Sequence, residues 1–115
     1  MNKLPRSFYT RPALTVAREL LGKILVRKIG SVMLTGKIVE AEAYLGESDP
    51  ASHAFRGKTE RNSVMFRDGG YLYVYFTYGM HFCSNVVTGK EGIARAVLLR
   101  AVEPVEGIEA MKKNR

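Results

Sequence analysis

The sequence predicts an α+β fold: one domain spanning residues 1–115, built on a mainly antiparallel, curved β-sheet of five or six strands flanked by helices. Three observations carry that expectation. Residues 13–21 hold apolar side chains at helical spacing, the stretch from Lys23 to Leu45 reads as two strands around Gly30-Ser31, and Tyr71 to Tyr78 is an unbroken β-rich run. At 115 residues, the chain is long enough for one core and too short for two.

Taken in order, Met1 to Tyr9 reads as a lead-in arm. Thr10 is placed to cap a helix with Pro12 in its first turn. Ala13, Val16, Ala17, Leu20 and Leu21 form its buried stripe, and Gly22 ends it. Lys23–Ile29 and Val32–Leu45 should pair as a hairpin, with Gly36 marking a bulge. Residues 46–70 carry Glu, Ser, Asp, Pro, Gly and Arg without periodicity. A segment of that length in a small domain is either disordered or part of a site, and Thr59 can cap one turn over 60–66. Tyr71–Tyr78, Met80–Val87 and Ile93–Val102 supply the remaining strands. Glu103-Pro104 should start a last helix, with Val105, Ile108 and Met111 on one face.

A composition of 46% hydrophobic and 25% charged residues is that of a globular protein. No apolar run approaches a membrane span, and no signal peptide is visible behind the basic start. The single cysteine, Cys83, precludes an intrachain disulfide framework and fits a reducing, intracellular setting. With only two histidines beside it, neither a structural zinc nor any other cofactor is expected. The net charge of +7 favours a polyanionic partner, because lysine and arginine on phosphates release counterions; no membrane partner is expected.

The chemistry-bearing residues concentrate in Ile38–Gly46. Strand alternation puts Glu40, Glu42 and Tyr44 on one side. Two carboxylates and a phenol on one face suit a solvated sheet surface, or a pocket with a base and a stacking ring. Tyr71, Tyr73 and Tyr75 likewise share a face, as an aromatic core layer or as a stacking platform for bases. His53 lies in the irregular segment. Arg100 follows Ala-Val-Leu-Leu in a strand that otherwise looks buried, so its guanidinium needs a carboxylate or several carbonyls, and Glu42 or Glu40 is the obvious partner.

Leu20-Leu21-Gly22, residues 38–46, Ala51-Ser52-His53, Arg61-Asn62, Met65-Phe66, residues 71–80, residues 82–86 and residues 97–104 occur in an order that resembles the alkyladenine (3-methyladenine) DNA glycosylase family, nearly end to end. The resemblance implies a monofunctional DNA-repair enzyme that flips a damaged purine out of double-stranded DNA and hydrolyses its N-glycosidic bond. It assigns Glu42 as general base and Arg100 as the arginine holding water and carboxylate. Tyr44, His53 and Tyr75 match residues that contact the flipped base, and Asn85 matches the asparagine that crowds a guanine amine. Tyr78 matches the wedge that fills the gap in the duplex. Thr59, Met65, Met80 and His81 fall where the family touches DNA. No lysine matches a Schiff-base position, so hydrolysis without strand nicking is expected.

Members of that family run on for several tens of residues past the helix where this sequence stops. The resemblance is therefore to the N-terminal part of the family, C-terminally truncated. An uncovered sheet face and self-association are expected from that. A catalytically impaired, basic DNA-binding module is the alternative. The family implies action on DNA in the cytoplasm (at the nucleoid) of a bacterium or archaeon, or in a eukaryotic nucleus.

Overall fold

The computed structural model describes residues 3–52, 54, 55, 57–60, 62–77 and 81–113, with the backbone alone at 47, 75–77 and 81–83. Five strands, β1 (Ile24–Ile29), β2 (Val32–Tyr44), β3 (Leu72–Thr77), β4 (His81–Thr88) and β5 (Arg95–Glu106), form one sheet in the order β1-β2-β5-β4-β3. Every described pair is antiparallel. Sequence-adjacent strands pair as hairpins at both edges, and β5 closes the middle by pairing with β2 and β4. The helices are α1 (Arg6–Tyr9), α2 (Ala13–Leu20) and α3 (Ile108–Lys113).

The expected hairpin runs from Ile24 opposite Lys37 to Ile29 opposite Val32. Gly30 takes φ 59°, the left-handed conformation that a two-residue hairpin turn requires. The pairing of β2 with β5 shifts register between Thr35 and Gly36, where the glycine signalled a bulge, and again around Glu40.

The sheet is covered on both sides. Ala13, Val16 and Leu20 of α2 pack on Ile38 and Val97, with Ala41, Ala43 and Leu99 around them. This is the apolar stripe read from the sequence, except for Leu21, which lies just past the end of α2 and is exposed. On the opposite face, a 3-10 turn at Ser63–Phe66 lays Met65 and Phe66 against Tyr73, Val87 and Ala96. Ala54, Met65 and Phe66 of the segment 46–70 thus cover a second core layer.

Three expectations need correction. Thr10 does not cap α2: its hydroxyl donates to the Ser7 carbonyl at 3.3 Å, and Pro12 occupies the cap position without a side-chain bond. The arm before it contains α1. At the other end, β5 continues through Pro104 to Glu106, and α3 starts only at Ile108. Pro104 lies opposite Gly36 at the bulge, where the ladder is already irregular and a missing N–H is tolerated.

Candidate active site

Residues directly opposite one another in an antiparallel sheet project to the same side. The register aligns Glu42 with Leu98, Leu98 with Asn85, and Asn85 with Tyr73. These four residues form one row across β2, β5, β4 and β3, on the face that carries the second core layer. Tyr44, Ala96 and Val87 form the next row. The Ser63–Phe66 turn covers Tyr73, Val87 and Ala96, and the row emerges from beneath it at Glu42. Gly46 makes the tight exit from β2 possible. It has φ 81°, and a Cβ there would lie 2.5 Å from the Ile93 carbonyl oxygen.

Where the cover ends, four polar groups converge. The Tyr44 hydroxyl donates to Glu42 Oε2 at 2.7 Å, so both side chains face the same side, as alternation predicted. Arg100 lies between the two carboxylates, with Nε 3.5 Å from Glu40 Oε2 and Nη1 3.6 Å from Glu42 Oε1. The partner expectation for Arg100 holds, but its burial does not. The side chains of Arg100 and Glu40 are each 58% exposed, and that of Glu42 is 41% exposed. The reason is that β5 leaves the covered region after Leu98. Separations of 3.5 Å or more are also longer than the ~2.7–2.9 Å of a charge-assisted hydrogen bond.

Asn85 is buried, and its Nδ2 donates to the Tyr73 carbonyl at 3.3 Å. Tyr73 is itself core, which settles the choice between core layer and stacking platform for that ring. Tyr71 stays partly exposed, with the guanidinium carbons of Arg6 and Arg67 at 4.8 and 5.2 Å from its ring centre. Thr59 is exposed and trades bonds with Asn62. Its hydroxyl accepts the Asn62 N–H at 3.2 Å, and Asn62 Oδ1 accepts the Thr59 N–H at 2.7 Å. The turn beyond it is confined to 63–66 rather than 60–66.

Met65 is the clearest departure from the expected DNA contacts. It is 3% exposed and packs in the core. Tyr75 and His81 lie on β3 and β4, opposite Cys83 and Thr77, beside the connection between those strands. His53, Tyr78 and Met80 lie outside the described residues. No group of histidine, cysteine or carboxylate side chains suited to a metal exists among the described residues, and no described helix is long and apolar enough to cross a membrane.

Sequence reasoning missed two features. Leu98 forms the apolar floor between Glu42 and Asn85, which only the strand register reveals. Arg6 reaches Tyr71 from a segment that gave no signal beyond its charge.

The sequence of residues 7–115 matches the family described as methylpurine-DNA glycosylase (MPG). The chain belongs to that family. A protein of Carboxydothermus hydrogenoformans named "Putative 3-methyladenine DNA glycosylase" is 60% identical over 112 residues, covering 97% of this chain and 58% of the relative. Proteins of the same name from Prosthecochloris aestuarii and Myxococcus xanthus are each 60% identical, covering 100% and 94% of this chain and 56% of each relative. The glycosylase-family chain thus spans little more than half the length of these relatives. Glu40, Glu42, Tyr44 and Arg100 all fall within the matched region.

Proposed function

We propose that this chain acts in DNA base-excision repair, removing alkylated or deaminated purines from double-stranded DNA by hydrolysis. The observation that carries the reading is the placement of Glu42. Its carboxylate stands at the open end of a sheet face, held by the Tyr44 hydroxyl and beside the Arg100 guanidinium. It is accessible to water and to a ligand, and it is joined by the row through Leu98 to Asn85.

In this proposal Glu42 takes a proton from a water molecule that attacks the sugar C1′ of an everted nucleotide. The C1′–N bond breaks, and its electrons leave with the purine through an oxocarbenium-like transition state. Arg100 orients the carboxylate and the water. An alkylated purine that carries positive charge is a good leaving group, which lowers the need for acid catalysis. Such a cation also gains about 0.5–2 kcal/mol from tyrosine ring faces. Asn85, His53 and Tyr75 contact the base, Tyr78 fills the gap in the duplex, and Thr59, Met80 and His81 touch the strand near the lesion. The buried Met65 supports the Ser63–Phe66 turn from beneath. Exposed Lys23, Arg27, Lys28 and Lys37 on the β1–β2 hairpin suit phosphate contacts.

We also infer self-association of the 115-residue chain. Ile24, Val26, Ile29, Val32 and Met33 on that hairpin are each 40–46% exposed, and β1 is a sheet edge. Sedimentation should show dimers or larger species that dissociate when Val26 is changed to Lys, and a monomer at all concentrations would contradict this.

The test of function is incubation with a duplex bearing one hypoxanthine or 3-methyladenine. Release of the free base and an alkali-labile, un-nicked abasic strand is expected. Salt-dependent binding without abasic product would overturn the enzymatic reading.

A further inference from the structure

Arg100 has two carboxylate neighbours at nearly equal distance, and neither is closed to hydrogen-bond length. Different nitrogens serve the two, Nε for Glu40 and Nη1 for Glu42. Glu42 Oε2 already accepts the Tyr44 hydroxyl. A guanidinium that closed onto Oε1 would put a donor on each Glu42 oxygen and fill the side from which a water approaches Oε1, although a lone pair would remain on each oxygen. Something must keep Arg100 from closing. Tyr44 is on the far oxygen, and Leu98, opposite Glu42 in the register, is apolar. Among the described residues the competing charge is Glu40.

We propose that Glu40 is a positioning residue for the excision reaction, a tether that holds Arg100 off the Glu42 carboxylate. It deepens the reading of Glu42 as general base and rests on it. Both carboxylates are drawn to one cation, so the guanidinium stays between them and leaves room for a water beside Glu42 Oε1. The irregularity of β2 at Glu40 supplies the geometry. In the register that holds from Ala41 to Tyr44, Glu40 would face Arg100 directly; instead it pairs with Ala101. That offset puts the Glu40 carboxylate on Nε, to one side of the guanidinium, and leaves Nη1 toward Glu42. Removing the charge of Glu40 lets Arg100 close on Glu42 and slows the chemical step without altering what the DNA touches.

Two readouts test this on the full chain, one of them independent of activity. The first is the side-chain Nε–Hε nuclear magnetic resonance signal of Arg100, identified by its loss in Arg100→Lys. Glu40→Gln is expected to shift that signal. The second is single-turnover excision from a hypoxanthine duplex. Glu40→Gln is expected to lower the rate constant about two- to fivefold, the range a surface ion pair spans, with duplex affinity unchanged. In an Arg100→Ala background the same substitution should have no further effect, because the tether then holds nothing. An unmoved Arg100 signal, an equal rate loss in the Arg100→Ala background, or a loss of affinity in place of rate would each overturn the proposal. If the unmodified chain releases no base, the glycosylase reading fails, and the Arg100 signal still decides whether Glu40 holds the guanidinium.

Discussion

The two ends of one sheet face are built from neighbouring rows of the same strands, yet they do opposite things. Beneath the Ser63–Phe66 turn, Tyr73, Val87 and Ala96 are buried against Met65 and Phe66. Two to four residues further along β2 and β5, the side chains of Glu40, Glu42 and Arg100 are 41–58% exposed. The covered end gains stability from apolar area removed from water. The open end gains little, since exposed ion pairs are worth about 0–1 kcal/mol. What it gains is a carboxylate that water and a ligand can reach, held in place by strands whose order is set by the covered end. Asn85 belongs to both ends, buried with its amide on the Tyr73 carbonyl and in one row with Glu42.

That division can be broken from either side. The largest effect is expected from Glu42→Gln at the open end. Single-turnover excision should fall by roughly 10²–10⁴-fold, the usual contribution of a positioned base, with the thermal midpoint almost unchanged. At the covered end, Phe66→Ala should cost about 3–5 kcal/mol in denaturant unfolding through cavity formation. Excision per folded molecule should be largely retained. Gly46→Ala sits between the two, because its new Cβ meets the Ile93 carbonyl and its φ is left-handed. A cost of about 1–3 kcal/mol is expected, together with a loss of activity as the exit from Tyr44 shifts.

The smallest effect concerns the helix side. Burial pushes the Tyr9 phenol above its ordinary value of 10.0. The folded chain therefore holds that proton more tightly than the unfolded one. The stability this contributes is complete below about pH 10 and is lost as pH rises toward the folded value. Tyr9→Phe should flatten the fall in thermal midpoint between neutral and strongly alkaline solution, whereas an unchanged slope would contradict the assignment.

The sequence made local features legible wherever a period or a special residue carries them. The stripe from Ala13 to Leu20, the Gly30-Ser31 hairpin, the Gly36 bulge and the shared side of Glu42 and Tyr44 all follow from spacing. Non-local features were less legible. Pro104 looked like a helix start because it is judged by its neighbours in sequence, while its place is decided by the bulge opposite at Gly36. Arg100 looked buried because Val97, Leu98 and Leu99 precede it, but burial depends on how far the Ser63–Phe66 turn reaches. Thr10 had the right chemistry for a cap, but Pro12 holds that position and the Thr10 hydroxyl donates to the Ser7 carbonyl. Tyr73 could serve as core or platform until Met65 and Phe66 were placed on it.

The central claim is that the open end of this face receives an everted purine nucleotide with Glu42 one water molecule from its sugar. A crystal structure of the chain with a duplex carrying a non-hydrolysable purine nucleotide tests it most directly. The account predicts the nucleotide beside Tyr44, with a water within about 3.2 Å of a Glu42 oxygen and in line with C1′. A nucleotide left stacked in the duplex, or one lodged away from Glu42, would contradict it.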